Sequence, residues 1–283
     1  MEKIKAFFSK HKLERSWTNK KMAFISILIA TSVAFVLVFV AIIPLTALPQ
    51  FKLAIGGLPI KLTGYIFGPI VGGLTGLLSD LISFMFVPTY YHYYYTIAWI
   101  AAGFVPGMVG FMMNRSKRKR DRIARENNEN VIEQYSIANF IVTLFVLATV
   151  FFTLFTFIYM TPEETFALQK LITSKYVFMA LTLIGVATIF VGLIIVRFIL
   201  KAKTFNALLP IVVLTVILEL INTPLLGLGD QRSTLQNASL ITTMTPHLLM
   251  SPLKMWGNII IISVAFRILS PLIYNKTNNG WNK

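Results

Sequence analysis

Met22–Ile43 reads MAFISILIATSVAFVLVFVAII, an unbroken apolar run without a single charged residue. About 20 such residues carry a helix across the hydrocarbon core of a bilayer. The run is too long and continuous for the apolar part of a secretory leader, and no small-residue cleavage site follows it. Further apolar runs come after it. It is expected to be an uncleaved first span, and the chain an all-α, polytopic transmembrane bundle.

The composition agrees with this. Of 283 residues, 56% are hydrophobic and 13% are charged, whereas a soluble domain carries roughly a quarter charged residues. There is no cysteine, so disulfides and thiolate metal sites are excluded. The net charge of +15 is gathered in two places. Lys3, Lys5, Lys10, Lys12, Arg15, Lys20 and Lys21 precede the first span, and Arg115, Lys117, Arg118, Lys119, Arg120, Arg122 and Arg125 follow the fourth apolar stretch. Juxtamembrane clusters of this kind belong on the cytoplasmic side, facing anionic headgroups. No aromatic residue interleaves them as a nucleic-acid stacking platform requires, so the expected partner is the lipid bilayer of the cell membrane and not nucleic acid.

Working outward from the first span, the apolar stretches are Lys52–Phe67, Ile70–Val87, Thr96–Met113, Ser136–Met160, Tyr176–Leu200, Phe205–Leu220 and Met255–Leu269. This predicts eight membrane segments, with the second, seventh and eighth short or broken. With the amino terminus inside, both dense basic clusters and the carboxyl terminus fall on the cytoplasmic face, and the TPEET connection falls outside. Gly56, Gly57 and Pro59 predict irregular backbone in the second segment, and Pro106 a local disruption of the fourth. Gly64, Gly68, Gly72 and Gly76 recur every four residues around Pro69, which predicts two short helices joined by a tight turn and packed backbone to backbone.

Several polar and aromatic residues are candidates for a site. The loop PTYYHYYY places Tyr90, Tyr91, His92, Tyr93 and Tyr94 at the predicted outer surface, either as an interfacial belt or as a lid over a flat ligand. Lys61, in the broken second segment, either meets an anionic substrate or reaches a headgroup. Asn222, Thr223 and Lys254 add polar groups toward the same side. Asp80 and Glu219 are buried polar candidates, because a charge in the hydrocarbon region faces a partner or a cavity. Ser26, Ala30 and Ala34 share one face of the first helix, which suits contact with another helix of the chain or with a partner subunit. His11, His92 and His247 form no catalytic or metal-binding pattern, and no Gly-rich nucleotide loop is present. No covalently bound cofactor, metal site or enzyme activity is expected.

The segment GGLPIKLTGYIFGPIVGGLTGLLSDLISFMFVP, Gly56–Pro88, resembles the substrate-binding S components of energy-coupling-factor (ECF) vitamin transporters, most closely their folate-specific branch. TIAWIAAGFVPGMVG, Thr96–Gly110, and ELINTPLLGLG, Glu219–Gly229, continue the resemblance. The pair Ala30 and Ala34 looks like that family's face for docking on a transmembrane coupling subunit. The resemblance implies a six-helix core with an outward-facing vitamin pocket, folate or a related vitamin as transported ligand, and association with the coupling subunit and two cytoplasmic ATPases that alone use ATP. It also implies a division into a basic cytoplasmic amino terminus (1–21), four core helices (22–113), a basic cytoplasmic linker (114–135), an added hairpin (136–203), two last core helices (204–272) and a cytoplasmic tail (273–283). Two details differ from the folate-type pattern: PTYYHYYYTIAW stands in the loop after the third helix, and Lys254 stands where those members tend to have arginine. Riboflavin as the vitamin, ion-coupled secondary transport and a ligand-free membrane scaffold are the competing readings.

Overall fold

The structure, a computed structural model, describes residues 19–42, 50–88, 92–127, 131–162, 174–200, 202–233 and 238–274. These form eight helices: α1 (Asn19–Ile42), α2 (Gln50–Phe67), α3 (Pro69–Phe86), α4 (Tyr93–Asn127), α5 (Val131–Met160), α6 (Lys175–Ile199), α7 (Ala202–Ser233) and α8 (Leu240–Tyr274). Seven of them are long and apolar enough to span a membrane, α2 being the exception. The chain is an all-α polytopic membrane bundle.

Gly68–Pro69 makes the turn expected of it. Gly68 has φ 105°, the left-handed region that glycine adopts without strain, and Pro69 opens α3 at a position where its missing N–H is not needed. Beyond the turn the glycines pack α2, α3 and α4 backbone to backbone. A Cβ on Gly64 or Gly72 would fall on the carbonyl of Gly103, and a Cβ on Gly107 would fall on Pro69.

Four expectations are corrected. α2 is one helix, not a broken one, although Pro59 lies inside it. Its neighbours hold the weak segment: Ser32 Oγ of α1 donates to the Gly56 carbonyl at 2.5 Å, and Gly56 sits under Val36 and Trp99. α4 runs through Pro106 without interruption and on to Asn127, so most of the expected linker at 114–135 is helix. That stretch is rich in Arg and Lys, good helix formers, and lacks Gly and Pro. α7 and α8 are longer than predicted, because both continue through polar residues that find partners in each other. Tyr93–Tyr95 form the first turn of α4 and not a loop.

The helices fall into two packing groups. α1–α4 pack with one another and with α7 and α8. Val36, Ile60, Trp99 and Leu218 form a buried cluster across α1, α2, α4 and α7. The hairpin of α5 and α6 leans on α7 and α8, where Leu154, Phe178, Phe205 and Met255 share a second cluster. Trp256 Nε1 donates to Thr188 Oγ1 at 2.9 Å, and the same ring covers Gly192.

Gly103→Ala should prevent recovery of folded protein, because the added methyl displaces backbone. Gly73→Ala should be nearly neutral, because its Cβ would meet Ile100 Cγ2 at an ordinary 3.6 Å. Yield and thermal stability in detergent compare the two variants.

Candidate functional site

α7 and α8 are apolar on their outer faces and polar where they meet. His247, Ser251, Lys254 and Asn258 recur every three or four residues along α8, so they share one face. Glu219, Thr223 and Asp230, spaced by four and seven residues, share one face of α7. The two stripes form one buried seam.

Lys254 pairs with Glu219, and Ser251 Oγ donates to Glu219 Oε1 at 2.9 Å. Lys61 of α2 donates to Asn258 Oδ1 at 2.8 Å. Toward the end of the seam where α8 begins, His247 Nε2 lies 2.9 Å from Asp230 Oδ2, and the Tyr95 hydroxyl donates to Asp230 Oδ1 at 2.6 Å. An ionised carboxylate only accepts, so Nε2 is the donor nitrogen of His247. Thr243 Oγ1 donates to the Gly227 carbonyl at 2.8 Å and ties the same ends together. Lys61, Glu219, Lys254 and His247 are all at most 7% exposed.

Some polar atoms in this region have no protein partner. They are Thr223 Oγ1, Asn222 Oδ1 and His247 Nδ1, all buried. Buried polar groups are nearly always hydrogen-bonded, so such groups call for a ligand, water or ion. Thr223 also borders a chamber of about 150 Å³ between α5, α7 and α8, with Glu219 and Ser251 beside it. Its remaining wall is apolar and includes Leu154, Phe157 and Met255.

The candidates are only partly brought together. Thr223 and Glu219 reach the chamber. Lys61 and Lys254 lie in the seam. Asn222, one residue before Thr223, is turned about 100° around α7 and does not line the chamber. Asp80 lies elsewhere in the core, accepting from Thr96 Oγ1 at 2.7 Å. His92, Tyr93 and Tyr94 stack on one another, with ring centroids 4.3–4.9 Å apart, and line neither the chamber nor the cleft beside it. Tyr90 and Tyr91 lie outside the described residues. Ser26, Ala30 and Ala34 are exposed on α1. Sequence reasoning missed Asp230, Ser251 and Asn258, placed Tyr95 only among the loop tyrosines, and found no role for His247. The polar stripe of α8 was the available signal.

Removing one partner of a buried ion pair strands the other charge, at about 3–5 kcal/mol. Glu219→Leu should therefore destabilise the protein strongly. Adding Lys254→Met should recover most of that loss, and thermal unfolding in detergent reads both.

The family model for the ECF-type riboflavin transporter S component matches residues 16–197. The match covers well over half of the chain. It takes in the α5–α6 hairpin and stops before α7, although α7 and α8 carry most of the polar seam. No curated protein and no solved structure matches the chain. The finding overturns the folate-specific branch and, with it, folate as the ligand. The seam agrees with that correction. Recognition of folate was expected to place its carboxylate on Lys61 or Lys254, yet Lys254 is paired with Glu219 and Lys61 is bonded to Asn258. The chain belongs to the ECF-type riboflavin transporter S-component family, and it is a vitamin-transport subunit and not an enzyme.

Proposed function

We propose that this chain captures riboflavin from outside the cell and delivers it inward as part of an ECF-type importer. The observation that carries the reading is the chamber beside the seam, where Thr223 keeps an unpartnered hydroxyl beside Glu219 and Ser251 in a mostly apolar wall. Riboflavin has a flat, largely apolar ring system with hydrogen-bonding groups along one edge, and a neutral polyol tail. Such a ligand suits a mostly apolar pocket with a few directed polar groups. It needs no carboxylate partner, which suits a site whose two lysines are engaged within the protein. The family's substrate supports the same choice.

Orientation follows from charge. With the two basic clusters inside, α5 ends and α8 begins on the outer side, and the chamber lies toward that side. The exposed small residues Ser26, Ala30 and Ala34 on α1 are the docking face for a transmembrane coupling subunit, which with two cytoplasmic ATPases supplies the driving energy.

Riboflavin should quench the tryptophan fluorescence of the purified protein saturably, whereas folate and thiamine should not. Thr223→Val should weaken riboflavin binding about tenfold, the cost of one lost buried hydrogen bond. No saturable response to riboflavin from natively folded protein sinks the reading. Replacing Ala30 and Ala34 with leucine should leave binding intact and abolish co-purification with the coupling subunit. Intact assembly in that variant contradicts the docking face.

A further inference from the structure

Close-packed helices leave few voids larger than a water molecule. The space between α5 and α8 is an exception. α5 packs along α7 and α6, and α6 packs along α8, but α5 and α8 share no comparable interface. Two cavities occupy the gap. The inner one is the chamber of about 150 Å³. The outer one is a wider cleft of about 470 Å³, lined by α5 residues including Phe152, Thr156 and Met160 and by Ile241 near the start of α8. Thr153 and Phe157 line both. They are four residues apart on α5 and so lie on one face.

Size makes this boundary matter. Pockets for molecules the size of a vitamin hold roughly 300–1,000 Å³. The chamber alone falls short of that range and the outer cleft falls within it, so a vitamin that reaches the polar floor has to occupy both. The half-buried Phe157 ring borders both spaces and is free to step between staggered side-chain wells. The hydroxyls of Thr149, Thr153, Thr156 and Thr161 all donate to carbonyls of α5 itself and not to the core. α5 is held instead by Leu147, Val150, Leu154 and Ile158, which are buried in the core, whereas Phe157 is only partly buried.

We infer that the Phe157 side chain is the door between the outer cleft and the polar floor of the chamber at Glu219, Thr223 and Ser251. The inference rests on the riboflavin reading and adds to it the route by which the ligand arrives. Entry then runs along the hairpin, and the size of one side chain sets how fast the vitamin enters and leaves.

Stopped-flow flavin fluorescence on the purified full chain tests the door. Phe157→Ala should speed association with riboflavin by about tenfold, whereas Phe157→Trp should slow it. Phe157→Leu provides a milder opening should the alanine variant fail to fold. Wild-type binding with unchanged rates in the leucine and tryptophan variants overturns the door and leaves the binding site standing. Faster dissociation alone, with affinity falling in step, also overturns it and makes Phe157 an ordinary wall of the site. Absence of riboflavin binding by the wild type removes the riboflavin reading itself.

Discussion

A charge buried at membrane depth has to find its counterpart inside the protein. Glu219 and Lys254 meet that demand across the α7–α8 interface, and much of the architecture follows from their meeting. The pair fixes the register of two long helices. Ser251 adds a hydrogen bond to the carboxylate, while Lys61 and Asn258 extend the seam to α2 and Asp230, His247 and Tyr95 extend it to α4. Because α7 also packs on α5, the seam sits between the four-helix amino-terminal part and the hairpin. The chamber opens on the hairpin side of that seam.

Hydropathy made the bundle legible wherever a helix is apolar all round. α1, α5 and α6 are of this kind: α6 was readable to within one residue at each end, while α1 and α5 start a few residues earlier than their apolar runs. Hydropathy failed where residues compensate one another through space. Glu219, Asp230, His247 and Lys254 each lower the apolar character of their own segment, and a reading along the chain cannot register that they cancel in pairs between α7 and α8. Those helices were therefore expected to be too short. α2 failed for a related reason. Gly56, Gly57 and Pro59 weaken a helix in isolation, but here the Ser32 hydroxyl, Val36 and Trp99 close around it.

The site was less legible than the fold. Thr223, Glu219 and Lys254 stood out as polar residues in apolar surroundings, but Ser251 and Asn258 are ordinary until a partner helix is laid against them. The choice of vitamin was not readable from the residues that carried the family resemblance. Many of those, such as Gly64, Gly72, Gly76 and Gly103, set how closely helices approach and line neither cavity. The two departures from the folate pattern, the tyrosine-rich segment before α4 and Lys254, were the residues that spoke against folate.

The glycine contacts carry a mechanical consequence. Where Gly64, Gly72 and Gly103 bring backbone onto backbone, no side chain lies between the helices to rotate or compress. The block of α2, α3 and α4 is stiff for that reason. α5 and α6 rest on the core through Leu, Phe and Met side chains around a gap, an arrangement that yields under load. Stiffness is thus graded across the width of the molecule. Rearrangement on the hairpin side therefore runs through side chains, while the glycine-packed block keeps its shape.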